Sequence, residues 1–363
     1  GGGFRFPGFG GGGGGGGGGG TTTLVGPSMD ATKFKVAWRQ NGGPMMQQGG
    51  FGYVFFGTYD ATPNPNAKPV FVEVCIKLPN EDPDSVKAHQ GEMEINKKVA
   101  ESGGIPGVAD FIGTVDLNPI SQQLPNGLGS KQGIVWRVVK GKTLDNFFDR
   151  GGGMSPVVAN TLRINNEPPT KIKGGVVYIK TALCEKVLGE TLLPLAQLHE
   201  RGIIHRDLNS RNILLTLNHG HLTAKVADFG CARKVKGAAL TTTTISGSPA
   251  YMAPEQLEGK DLTDRVDVWA FGVLFWETMC DQPPWASKGN SLDALKHAVS
   301  LQGERLPLPS SDKFPNGGRA QYIKLMEATW HVVPTARPSM STIARNIGHI
   351  AASGGSSYVG EHL

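Results

Sequence analysis

Cysteine is scarce in this chain of 363 residues: there are four, at Cys75, Cys184, Cys231 and Cys280. They are scattered, show no metal-ligand spacing, and read as reduced thiols of a protein that is not secreted, which points to an intracellular setting. A strong charge imbalance is missing too. The formal net charge is +5 and no run of Lys and Arg concentrates it, which argues against a nucleic-acid partner. No apolar run reaches the ~18 residues a membrane span requires, so no membrane-crossing segment is expected. An initiator Met and a signal peptide are also lacking. The chain is therefore expected to be a piece of a longer protein, with room outside it for an anchor or targeting segment.

Glycine, by contrast, is abundant, and the first twenty residues are mostly glycine with Phe4, Phe6 and Phe9 among them. Such a tract loses too much backbone entropy on ordering, so residues 1–30 are expected to form a flexible tail. About 330 residues remain, enough for two lobes and a sizeable core. Apolar content is 39%, ordinary for a globular protein.

The most informative stretch is His205-Arg206-Asp207-Leu208-Asn209-Ser210-Arg211-Asn212. It follows an apolar helical run, expected over 176–201, and precedes Ile213-Leu214-Leu215, which reads as a strand. Asp228-Phe229-Gly230 follows. Two carboxylates and an amide on neighbouring loops can position a hydroxyl and hold a divalent cation against phosphate oxygens. Upstream, residues 34–38 alternate as a strand, and a glycine-rich stretch runs from Gly42 to Val54. Glycine there lets backbone N–H groups approach phosphates closely. Val54-Phe55-Phe56 and residues 70–77 read as strands. Lys77 ends the apolar run Val74-Cys75-Ile76, and its ammonium must find anions. Residues 84–101 read as a charged helix. Residues 62–69 and 151–175 read as insertions, and residues 264–277 as a core helix apolar nearly all round.

Lys77, the 205–212 loop, Asp228-Phe229-Gly230, Ala253-Pro254-Glu255 and Asp267 occur in the order found in the eukaryotic protein kinase family. The chain closely resembles that family from about residue 34 to residue 349. The resemblance implies an α+β, bilobal fold. A small β-rich N-lobe with one main helix would occupy 31–139, and a larger, mainly helical C-lobe 140–350, with a frayed tail at 351–363. It implies ATP and Mg2+ as cofactors and a protein as substrate. Asp207 would accept or orient the proton of the attacking hydroxyl, Asn212 and Asp228 would hold the metal, and Lys77 would pair with the α- and β-phosphates. Glu92 would hold Lys77, with Glu94 as the alternative. Aligned on Val54, two of the family's three loop glycines fall on Gly49 and Gly52, while the first falls on Gln47, a departure. Trp136 takes the gatekeeper position, and Val139 would offer its backbone to adenine. Asp267 would bond the catalytic-loop backbone, and Glu255 would pair with Arg337.

The acceptor is mixed in signature. Asn209 stands where serine/threonine kinases carry Lys, and Arg211 stands where many tyrosine kinases carry Arg. Yet residues 247–255 resemble the serine/threonine type, with Ser248 in place of the usual Thr. The tyrosine-kinase-like group shares the Asn-Ser pair. The resemblance therefore implies Ser/Thr transfer, with dual specificity left open. Arg206 would meet a phosphate on a threonine of the 241–246 run. Trp136 and Gly141-Lys142-Thr143-Leu144-Asp145 also look like the thylakoid state-transition kinases of algae and plants. That would imply light-harvesting proteins as substrates and a chloroplast location. The competing reading is a pseudokinase that binds nucleotide as a scaffold, to which Gln47 and Trp136 point. A small-molecule kinase is disfavoured by Ala253-Pro254-Glu255.

Overall fold

The computed structural model describes residues 28–37, 46–49, 52–124, 131–147, 175–218, 221–235, 237, 239–241, 245–310 and 319–353. The expectations for the tail at 1–27, for Trp38, for residues 42–45 with Gly50 and Phe51, for 148–174, for Thr242 to Thr244 and for 354–363 lie outside the described residues. The chain divides into two compact units, residues 1–104 with 108–141, and residues 105–107 with 142–363.

The first unit is a sheet with one long helix. Its strands are β1 (Phe34–Val36), β2 (Met46–Gly49), β3 (Gly52–Asp60) and β4 (Phe71–Pro79), followed by helix α1 (Pro83–Glu101), then β5 (Phe111–Asp116) and β6 (Gln132–Arg137). The antiparallel order is β1-β3-β4-β6-β5, with β2 paired to β3. Strand alternation sorts the side chains. Val74, Ile76 and Leu78 join Phe34, Phe55, Ile112, Val115 and Val135 in one buried cluster. Cys75 joins Val54, Phe56 and Trp136 in another. Register places Val54 and Ile134 beside Lys77, and Trp136 beside Cys75, so Lys77 shares the face of the smaller cluster. Helix α1 starts where Asp82 Oδ1 caps the Ser85 N–H at 2.8 Å and Pro83 presets the first turn. It stops at Ser102, followed by Gly103 and Gly104 with positive φ. Met29, expected in the tail, instead donates its N–H to the Thr114 carbonyl at 2.7 Å and so bridges to β5.

The second unit is mainly helical. Its elements are β7 (Gly141–Thr143), whose first residue closes the first unit, α2 (Gly175–Glu200), β8 (Ile203–Ile204), β9 (Ile213–Asn218), β10 (His221–Val226), β11 (Arg233–Lys234), α3 (Pro254–Leu257), α4 (Arg265–Cys280) and α5 (Leu292–Leu295). A π-helical turn at Lys296–Leu301 follows, then α6 (Arg319–Thr329) and α7 (Met340–Ser353). Two small antiparallel sheets, β10-β9-β7 and β11-β8, flank the loop at 205–212. Helix α4 is buried from Val266 to Met279, as an axis of the core must be. The Phe275 ring meets Tyr322 edge-on at 5.7 Å, joining α4 to α6. Gly175, expected in an insertion, is the first residue of α2, and residues 351–353, expected in the tail, are the last turn of α7. The architecture is the α+β class that the sequence implied.

Candidate active site

In the first unit, Lys77 Nζ and Glu92 Oε2 meet at 2.8 Å, with both side chains almost wholly buried. A lone ammonium at that depth would be costly, so the pair exists because each charge answers the other. Glu94, the alternative, is exposed and faces Lys98 one turn along α1. Val54 is buried opposite Lys77. Gly52 has φ of 152°, and a Cβ there would fall 1.8 Å from the Leu78 carbonyl oxygen, so only glycine fits. Gly49 lies opposite Gly52 at the end of the β2–β3 pairing, and Gln47 lies opposite Val54. Val139 follows β6 and is half-buried.

In the second unit, Asp267 organises the loop. From α4 its carboxylate accepts the N–H groups of His205 and Arg206, each at 2.8 Å, and meets His199 Nε2 at 2.8 Å. Burial works to raise its pKa, but the His199 hydrogen bond and charge, with His205, outweigh it, so Asp267 stays below its ordinary value. These bonds hold Arg206 at φ 67°, a strained setting for a non-glycine residue, and Asp228 stands at φ 64°. Asp207 Oδ1 accepts the Ser248 N–H at 2.8 Å and Asn209 Nδ2 at 3.0 Å. Asn212 Nδ2 donates to the Asp207 carbonyl at 2.8 Å and to its Oδ2 at 3.2 Å. Burial, and then the charge of Asp228, raise the Asp207 pKa above the ordinary carboxylate value. The loops carrying Asn212 and Asp228 are joined by the Ala227 N–H on the Asn212 carbonyl at 2.9 Å, and the His205 and Phe229 rings pack with centroids 5.2 Å apart.

This donor set fits a hard divalent cation. Asp228 lies near enough to raise the Asp207 pKa, and a cation would relieve that repulsion. Asn212 turns its nitrogen to Asp207, and an amide oxygen is a donor such a cation accepts. Among the described residues no group of three or more His, Cys, Asp or Glu gathers as an all-protein metal cage. Mg2+ needs none, because it binds through one or two protein oxygens with phosphate and water completing the shell.

The segment at 245–257 is tied to the same loop. Ser248 Oγ accepts from Arg211 at 2.9 Å and from Asn209 at 3.2 Å. Arg206 donates to Ser246 Oγ at 2.9 Å and to the Cys231 carbonyl at 3.3 Å. Gln256 Nε2 bridges the carbonyls of Arg206 and Ser246, each at 3.0 Å. The sequence does not announce the bonds that join three buried residues, Tyr251, Ser210 and Glu277. The Tyr251 hydroxyl donates to Glu277 Oε2 at 2.6 Å, and Ser210 Oγ donates to Glu277 Oε1 at 3.2 Å. The one available signal was Glu277 itself, a carboxylate in an otherwise apolar helix. Arg337 clasps Glu255 through two bonds of 2.6 and 2.9 Å.

Residues 165–347, about half of the chain, match the protein kinase domain family. A protein of Dictyostelium discoideum named as a probable serine/threonine-protein kinase is 37% identical over 153 residues, 42% of this chain and 15% of that protein. Mitogen-activated protein kinase kinase kinase 13-A of Xenopus laevis is 35% identical over 150 residues, 41% of this chain and 14% of that protein. A serine/threonine-protein kinase of Streptomyces coelicolor is 34% identical over 158 residues, 43% of this chain and 27% of that protein. The alignments thus span only a small part of these relatives.

Proposed function

Because the chain belongs to the protein kinase family, we propose that it transfers the γ-phosphoryl group of ATP to serine and threonine hydroxyls of a protein substrate. The observation that carries this reading is the set of bonds on Asp207: Ser248, Asn209 and Asn212 fix its carboxylate, and burial raises its proton affinity. Asp207 takes or orients the hydroxyl proton as the acceptor oxygen bonds to phosphorus and ADP leaves. Lys77, held by Glu92, would pair with the α- and β-phosphates. The backbone around Gly49, Gly52 and Val54 would serve the phosphates, and Val139 would offer its backbone to adenine. Asn212 and Asp228 would hold Mg2+, which would supply charge neutralisation on the phosphate oxygens.

Ser/Thr is the first acceptor because the relatives above carry that activity in their names. Arg211, four places after Asp207, keeps Tyr as a second acceptor, and the Asn209-Ser210 pair favours placement in the tyrosine-kinase-like group. A phosphate on a hydroxyl of 241–246 would meet Arg206, which already binds the Ser246 hydroxyl. The narrower assignment, to thylakoid state-transition kinases acting on light-harvesting proteins in the chloroplast, rests only on Trp136 and residues 141–145. Among the described residues no helix is long and apolar enough to cross a membrane.

Incubation with γ-labelled ATP, Mg2+ and casein or myelin basic protein, followed by phosphoamino-acid analysis, tests the proposal. Label on phosphoserine and phosphothreonine is expected. A thermal shift with Mg-ATP but no transfer would refute it in favour of a nucleotide-binding scaffold.

A further inference from the structure

Helix α1 and strand β6 are joined by two side-chain hydrogen bonds that flank the Lys77–Glu92 pair. His89 Nε2 meets the Gln132 carbonyl at 2.9 Å, which requires the proton on that nitrogen. Trp136 Nε1 donates to Asn96 Oδ1 at 3.3 Å, and Asn96 Nδ2 donates back to the Glu92 carbonyl at 2.9 Å. His89, Glu92 and Asn96 are all buried. They stand at i, i+3 and i+7, so they share one helix face with Glu92 between the two anchors. Gln132 and Trp136 lie four residues apart on β6, and Ile134 between them is the partner of Lys77.

The spans agree. Seven helical residues rise about 10 Å and four strand residues about 13 Å, a difference that side-chain reach absorbs. Apolar contact through the buried Met93, Ile95 and Val99 is non-directional and sets the register less sharply than a hydrogen bond does. The polar bonds do not, because a one-turn slip leaves His89, Asn96 and the indole without these partners in a buried layer.

We propose that His89, Asn96 and Trp136 are positioning residues that lock α1 in the single register in which Glu92 reaches Lys77. The ion pair is then made by the resting chain, without a partner protein or a modification. The inference rests on the function proposed above for its effect on nucleotide use, though not for the lock itself.

The test uses His89→Leu, Asn96→Leu, their combination, and His89→Gln, whose amide nitrogen can reach the same carbonyl. Two measurements are made on each: KM and kcat for ATP, and hydrogen exchange across residues 83–101, with residues 213–226 as the folding control. Each single Leu variant is expected to raise KM for ATP about threefold, and the pair at least about tenfold, with kcat changing less. Exchange in 83–101 should quicken in the pair while 213–226 stays protected, and His89→Gln should behave as wild type. Wild-type KM and wild-type exchange in the pair would overturn the inference. A wild-type protein that transfers no phosphate would overturn the proposed function instead, and exchange in 83–101 would still decide the lock.

Discussion

His89 makes stability depend on pH in a way one substitution should erase. Its pKa is depressed from 6.5 to about 4, chiefly by burial. The Gln132 carbonyl opposes that shift, and the charges of Lys77 and Lys131 add to it. A second proton would sit on Nδ1, which is buried and has no hydrogen-bond partner. Between these two pKa values the unfolded chain takes up a proton that the folded chain refuses. Stability is therefore full above about pH 6.5 and falls as the pH drops toward about 4. From pH 7.5 to pH 4.5 the loss assigned to this residue is about 2–3 kcal/mol. His89→Gln keeps a donor to Gln132 and has no proton to gain. Urea denaturation followed by circular dichroism, repeated across that range, measures the difference. Other carboxylates titrate in both proteins and cancel. The wild type should lose about 2–3 kcal/mol more than His89→Gln on acidification. Parallel curves would refute the reasoning and place His89 in a wetter setting than the structure shows.

Three further outcomes are expected. Arg337→Met leaves the Glu255 carboxylate in a buried layer without its two guanidinium bonds, and should cost about 3–5 kcal/mol, seen as a lower midpoint in thermal denaturation. Gly272→Ala places a Cβ 2.0 Å from Thr329 Oγ1, so α4 and α6 must separate. It should cost about 1–3 kcal/mol, and Thr329→Ala in the same chain should recover part of the loss. Ser248→Ala removes the hydroxyl shared by Arg211 and Asn209 but keeps the N–H on Asp207. Steady-state turnover should fall about tenfold, and Ser248→Thr should retain it.

Much of the fold was legible because its signals are local. The apolar run Val74-Cys75-Ile76 marks β4, and the run at 264–277, apolar nearly all round, marks a core helix. Strand ends were less legible: β3 and β4 extend beyond the expected 54–56 and 70–77 because pairing with each other, not composition, carries them to Asp60 and Pro79. Strands β8 and β11 have two residues each, too short for a pattern, and exist through pairing Ile204 with Arg233 and Ile203 with Lys234. Site residues with a fixed spacing, such as Asp207 and Asn212, could be named from the chain alone. The choice between Glu92 and Glu94 needed the phase of α1 against the sheet. The bonds from Tyr251 and Ser210 to Glu277 cross 26 and 67 residues, and no local pattern announces them. The same holds for His89, Asn96 and Trp136, whose meaning depends on how a helix lies along a strand.

The most direct test of the central claim is the rate of phosphoryl transfer by Asp207→Asn at saturating Mg-ATP, set beside the wild type. The substitution is nearly isosteric and removes the carboxylate proposed to take the proton. Turnover is expected to fall by about 10²–10⁴-fold while the thermal shift caused by Mg-ATP stays at the wild-type value. Turnover within a few-fold of the wild type would contradict the account, because the carboxylate on which every other assignment depends would not be doing the chemistry.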